Sequence, residues 1–258
     1  MQKSKYLSPR LLTLISMDFT LYFRKKGNYV FFLVIPFICG VLLRVSTSAD
    51  TFGSYDSALP IVFALSCTAI LLGLVLSINM VCKDFPIIHR KLRKGLPAAY
   101  VILSKTFLIL VLCFIMAIVL TATYLSTLKT EGMDASGYIS FYLSIFFTMI
   151  ASAEMGLLVS TLPKITADLA SMAVSFIISF QILCSGHLPG IDSRVNEGLS
   201  IISFSRYSIT LLGGTVGVVS SRFANTFSEM LESFGWLTGF YVIFILFSCL
   251  VLMFINTD

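Results

Sequence analysis

Charge is scarce in this 258-residue chain: Asp, Glu, Lys and Arg together make up only 12% of it. A soluble domain carries roughly 25% charged residues, so there is too little charge here to cover a water-facing surface. That excludes a soluble enzyme, a nucleic-acid-binding domain and a disordered tail. The net charge of +5 does not reopen the nucleic-acid reading, because the basic residues flank apolar runs instead of gathering on one wet face. Histidine is almost absent. His89 and His187 have no neighbouring thiol or second imidazole, which excludes zinc-type ligand spacing. Six cysteines occur without a CxxC pair. Cys39, Cys67, Cys113 and Cys249 fall inside apolar runs and Cys82 and Cys184 at run ends, as expected of small apolar fillers and not of a disulfide framework. No G-x-x-x-x-G-K-[ST] phosphate loop occurs. The first apolar stretch comes late, behind six basic residues, and the expectation is that no cleavable signal precedes it.

What the chain has in abundance is apolar length. Hydrophobic residues make up 57% and mean hydropathy is +0.94. A bilayer core takes about 20 apolar residues in helical form, and six segments qualify: Tyr29–Leu43, Ala58–Val81, Thr106–Leu125, Tyr138–Leu162, Leu169–Cys184 and Phe234–Ile255. The first is short and interrupted by Pro36; the third is expected to begin its helix before Lys105. Gly198–Val219 is nearly apolar enough for a seventh. Arg206 divides it into pieces too short to cross, and Gly213, Gly214 and Gly217 weaken it. It reads as re-entrant or interfacial helix, held where protein or water satisfies the backbone.

The sequence therefore predicts an all-α polytopic membrane protein, one domain over 1–258, with spans one to four in 29–162, spans five and six in 169–255, and a re-entrant extracytoplasmic segment over 185–233. Thirteen basic residues fall on one side of this arrangement: Lys3, Lys5, Arg10, Arg24, Lys25 and Lys26 before the first span, Lys83, Arg90, Lys91, Arg93 and Lys94 after the second, then Lys105 and Lys164. The other side carries five, among eight acids. The positive-inside rule places the basic side, and with it both termini, in the cytoplasm. The tail carries no Lys or Arg, so its side depends on rejecting the seventh span.

Two elements lie outside the spans. Ser8-Pro9 suits a helix start, and Leu11, Ile15, Phe19 and Tyr22 recur at helical spacing before Arg24, Lys25 and Lys26. This predicts an amphipathic interfacial helix over 8–26, against the plainer reading of a loose tail. The stretch KDFPIIHRKLRKG (83–95) is too short and too charged to span. Asp84 can cap it, Pro86 sits in its first turn, Ile88 and Leu92 lie one turn apart, and Gly95 and Pro97 stop it. The plain reading is a positive-inside anchor. The functional one is a helix over 84–94 whose aliphatic ridge suits a groove on a cytoplasmic partner.

This order of elements resembles the type-2 ABC export permeases, bacterial relatives of the ABCG (White) half-transporters. The basic helix is followed by Leu96-Pro97-Ala98-Ala99-Tyr100 and Ser104-Lys105 leading into the third span. The fourth span ends Gly156-Leu157-Leu158-Val159-Ser160, the fifth ends Ser185-Gly186-His187-Leu188-Pro189, and Ser205-Arg206-Tyr207 follows. The likeness covers nearly the whole chain. It departs from the family in the absence of a loop cysteine pair and in His187, where an aromatic or aliphatic residue is usual. The resemblance implies that 8–26 is a connecting helix and that 84–94 is a coupling helix, meeting an ATPase through Asp84, Ile87, Ile88, His89, Arg90 and Leu92. It further implies a separate cytoplasmic ATP-binding cassette subunit in two copies, bringing ATP and Mg. A second permease subunit, identical or related, would complete the pathway in a bacterial plasma (inner) membrane.

Three residues stand out as intramembrane polar or gating candidates: Glu154, Asn79 and Arg206. Glu154 is the only carboxylate well inside a span. It can be a hydrogen-bonded link between helices, a polar spot in a transport cavity, or a group nearer an interface than its position suggests. Asn79 suits a bond across helices, Arg206 an anchor for the re-entrant turn through carbonyls or an acidic neighbour, and Lys105 a side chain snorkelling to the cytoplasmic face. No catalytic or metal residue is assigned. The leading reading is an export permease for an amphipathic or lipophilic molecule such as a drug, lipid or peptide. Its competitors are an intramembrane enzyme, which needs paired catalytic groups at depth, and a six-span translocase or scaffold not driven by ATP.

Overall fold

The computed structural model describes residues 7–47, 52, 54–78, 80–81, 84–93, 95–126, 135–162, 166–186, 198, 200–216, 223–224 and 226–255. Among them the ordered elements are helices, and no strand occurs. In chain order they are α1 (Leu7–Arg24), α2 (Gly27–Val45), α3 (Tyr55–Ser77), α4 (Phe85–Arg93), α5 (Ala98–Leu125), α6 (Ala135–Thr161), α7 (Ala167–Leu183), α8 (Phe204–Thr215) and α9 (Phe227–Ile255).

Five of these, α2, α3, α5, α6 and α9, are long and apolar enough to cross a membrane. The predicted fifth span instead forms α7, whose 17 residues rise about 25 Å, at the lower limit for crossing. Pro36 does not interrupt the first span. The preceding residues Val30–Val34 widen into a π turn, which relaxes the Phe32 carbonyl that the proline ring would otherwise strike. As predicted, α5 begins ahead of Lys105.

At the centre stands α6, which packs against α3, α5, α7, α8 and α9. Its closest partner is α3, and glycine sets that approach. A Cβ on Gly73 would strike Ser152 Oγ and the Met149 carbonyl, and one on Gly156 would strike Ser77 Oγ and come 3.0 Å from the Leu74 carbonyl. Lipid offers no hydrophobic drive for pairing helices, so close backbone contact of this kind is what holds them. Around this pair, Leu65, Leu72, Leu112, Met116, Phe141 and Met149 form one buried core, and Ile70, Leu74, Ala151, Phe204, Leu211 and Leu237 a second.

The 12 residues of α8 rise about 18 Å, too little to cross. Its first half packs at the end of α7 and its middle against α3 and α6. The chain then doubles back beside it: Ala224 N donates to the Thr210 carbonyl at 3.1 Å, with Phe223 over Gly213 and Ala224 over Gly214. From there α9 runs antiparallel to α8, as the pairs Tyr207–Trp236 and Phe204–Phe244 show.

Candidate functional site: a charged joint and two buried polar hubs

The amphipathic α1 carries one acid, and that acid sits on its apolar side. Asp18 is three residues after Ile15 and four before Tyr22, so helical periodicity turns it inward with them. It is buried, and Ser104 Oγ donates to its Oδ2 at 2.7 Å. Lys105 follows Ser104 on α5. Its ammonium lies 3.5 Å from Asp18 Oδ1 and donates to Asp84 Oδ2 at 2.8 Å. One lysine thus ties together α1, the start of α4 and α5. It is itself buried, and at the basic end of its helix the ammonium meets two carboxylates, which hold it more firmly than water would.

The short basic helix α4 starts where expected. The Asp84 carbonyl accepts from the amides of Ile87 and Ile88, both at 2.9 Å, while its carboxylate goes to Lys105. It also stops where expected. Gly95 adopts φ +82° and donates its amide to the Leu92 carbonyl at 2.9 Å, a left-handed turn that glycine makes without strain. The orientation of its ridge corrects the sequence reading. Ile88 and Leu92 are 2% and 3% exposed and belong to the protein's own core with Ala98 and Val101. They hold α4 to the bundle and leave no ridge for a partner. The face turned outward carries Ile87, 49% exposed, and Arg90. The His89 side chain lies outside the described residues.

Two polar hubs lie among the spans. In the first, Ser208 of α8 accepts from Ser66 of α3 and from Thr148 of α6, both at 2.8 Å. In the second, Gln181 near the end of α7 accepts from Ser203 Oγ at 2.7 Å and from the Ser205 amide at 3.3 Å, and its carbonyl accepts from Ser205 Oγ at 2.7 Å. Together they fix α8 to three other helices. Of the predicted polar candidates, Arg206 donates to Ser200 Oγ at 2.8 Å. It therefore anchors the start of its own helix through a hydroxyl, where a carbonyl or an acid was expected. Glu154 is fully buried, and its Oε2 accepts from Thr106 Oγ1 of α5 at 3.3 Å. Its Oε1 has no hydrogen-bond partner among the described residues. The bond to Thr106 links α5 and α6. Asn79 lies outside the described residues, as does His187.

Long apolar helices around a buried centre, closed at one end by an amphipathic helix and a short basic helix on a shared ion pair, define a multi-pass membrane domain. The family model described as "ABC-2 type transporter" matches residues 9–212, and the chain belongs to that family as its membrane component. It is also similar to the ABC transporter ATP-binding/permease protein Rv1747 of Mycobacterium tuberculosis, at 23% identity over 207 residues. That match covers 75% of this chain and 24% of the relative, so the chain spans about a quarter of that protein's length. Sequence reading missed Asp18 altogether. The available signal was a lone acid at an apolar position of an amphipathic helix, which demands a cation nearby.

Proposed function

We propose that this chain is the permease subunit of an ATP-driven exporter, providing half of a pathway for an amphipathic or lipophilic molecule. ATP and Mg bind a separate ATP-binding cassette subunit, present in two copies, and a second permease subunit, identical or related, completes the pathway. In this reading α7 is the sixth crossing and α8 a re-entrant helix. The basic end faces the cytoplasm with both termini, in the inner membrane of a bacterium.

The observation that carries the reading is the Lys105 joint. A helix that receives force from an ATPase must be held to the spans it is to move. Asp84 supplies that attachment at the start of α4, and buried Ile88 and Leu92 supply it along the rest. The cassette docks on the outward face of α4, through Ile87 and Arg90. ATP-driven closure of paired cassettes displaces α4, and the joint passes the displacement to α1 and α5, biasing the bundle between two packed states.

The test is co-purification of tagged chain from its native membrane in mild detergent, followed by an assay for vanadate-sensitive ATPase activity. Ile87→Asp and Arg90→Glu should abolish capture of the ATPase while leaving the permease folded, since neither side chain is buried. A chain that purifies alone from its native membrane, without ATPase in any mild detergent, overturns the proposal.

A further inference from the structure

A cavity of about 520 Å³ opens beside the charged joint, between α1, the start of α2, the end of α3 and the start of α4. Its size falls within the roughly 300–1,000 Å³ of small-ligand sites. Its polar lining is Asp18, Asp84, Lys105 and Lys25, and Phe31, Val75 and Gly27 line it as well. Lys105 is shared between the two aspartates, and Asp84 is 35% exposed at its side chain, so its carboxylate is open to the cavity. Lys25, also exposed, presents the opposite sign. The lining therefore offers a ligand both signs of charge beside apolar wall.

We propose that this cavity binds the headgroup of an aminophospholipid from the adjoining leaflet, with its primary ammonium on Asp84 and its phosphate on Lys25. Such a headgroup carries both signs, as the lining does: an ammonium for Asp84 and a phosphate for Lys25. Tyr22 also lines the cavity. Burial, with a smaller contribution from Cys113, pushes its phenol up to about 12, so it stands there as a neutral hydroxyl. The aromatic group Tyr22, Phe23, Tyr29 and Phe32 packs at the same elbow, of the kind that seats at the headgroup level of a bilayer. A lipid with an anionic headgroup and no ammonium offers nothing to the Asp84 carboxylate. The site goes beyond the exporter reading and does not depend on it, because lipid retention needs neither ATP nor a partner.

Gly27 provides the test. Gly27 lines the cavity and a Cβ added there meets nothing within 4 Å, so a large side chain at this position takes up space beside the ligand without disturbing the backbone. Wild-type chain, Gly27→Ala and Gly27→Phe are each equilibrated with mixed micelles containing equimolar phosphatidylethanolamine and phosphatidylglycerol, and bound lipid is read by native mass spectrometry. Wild type and Gly27→Ala should retain phosphatidylethanolamine in preference. Gly27→Phe should lose about tenfold in occupancy, the scale of one charge-assisted contact, with unchanged elution volume. Asp84→Asn, which removes the carboxylate that receives the ammonium, should abolish the preference between the two lipids, and this variant decides the matter if Gly27→Phe does not fold. Equal retention of both lipids by wild type, or a folded Gly27→Phe that keeps its phosphatidylethanolamine, overturns the proposal.

Discussion

Replacing Lys105 by methionine keeps the length and apolar stem of the side chain and removes only its charge. In the native joint the ammonium serves Asp18 at 3.5 Å and Asp84 at 2.8 Å. The two acids respond differently to its loss. Asp84 is a third exposed and turns to water. Asp18 is buried, and among the contacts described for it only the Ser104 hydroxyl remains. Removing one partner of a buried pair costs about 3–5 kcal/mol; with one acid partly solvated, the lower end applies, so Lys105→Met should cost about 3 kcal/mol, or roughly a hundredfold in the equilibrium between docked and detached α1. The distinctive expectation is rescue. Asp18→Asn added to Lys105→Met removes the stranded charge while keeping a group for Ser104, and should recover most of the loss. The same Asp18→Asn in the wild-type background should be destabilising, because Lys105 then faces one acid where it had two. The assay is unfolding against increasing SDS mole fraction in mixed micelles, run as a double-mutant cycle. If Lys105→Met matches wild type, or if the two substitutions simply add, the joint does not hold these helices together.

Three further perturbations probe the remaining structure. Gly73→Leu forces a side chain into Ser152 and the Met149 carbonyl, and should cost at least about 1–3 kcal/mol of overpacking, seen as a lower thermal midpoint; Gly235→Leu, facing open space on α9, is the silent control. Ile88→Ala should destabilise α4 by about 2–4 kcal/mol as a buried aliphatic loss, with early proteolysis after the α4 basic residues, whereas Ile87→Ala should change stability little; equal effects would mean that the two faces are misassigned. At Glu154, Glu154→Leu alone leaves the Thr106 hydroxyl without its acceptor, but Glu154→Leu with Thr106→Val removes both partners and should be neutral or stabilising in SDS unfolding. A double variant less stable than both singles would show that the carboxylate has a partner beyond Thr106.

The long spans were legible because a bilayer imposes a length and an apolarity that few other structures need. The ends of α4 were legible too: the helix starts after Asp84, although the carboxylate expected to cap it goes to Lys105, and it stops at a left-handed Gly95. The direction in which α4 faces was not. Ile88 and Leu92 form an apolar ridge in sequence whether the groove that receives it belongs to this chain or to another, and only the placement of Ala98 and Val101 decides between them. The partners of Lys105 were illegible for a similar reason. A lysine at a span end is expected to reach for the interface, and nothing local shows that carboxylates wait for it there, one 21 residues away in Asp84 and one in Asp18, ahead of the first two spans. The serine hubs were the least legible of all. A serine inside an apolar helix can always satisfy itself on its own preceding turn, as Ser144 does on Ser140; that Ser66 instead reaches across 142 residues to Ser208 is a property of the packed register alone.

Polar contacts are unevenly distributed along the bundle. At the basic end, α1, α4 and α5 share a charged joint that is strong but specific in direction, because a salt bridge at 2.8 Å is lost on a shift of about an ångström or two. Directly beside it, at the residue after Lys105, α5 is joined to α6 through Thr106 and Glu154, whose bond is long at 3.3 Å and whose second oxygen has no partner among the described residues. Farther along, α8 is fixed to α3 and α6 through Ser208, and to α7 through Gln181, by neutral hydroxyl bonds of modest individual strength, averaging about 0.6 kcal/mol in membrane interiors. One turn of α5 thus carries both the strongest polar contact of the bundle and one of its loosest: Lys105 is held by two carboxylates, while the next residue offers Glu154 a single long bond, so α5 is tied more firmly to α1 and α4 than to α6 at that level.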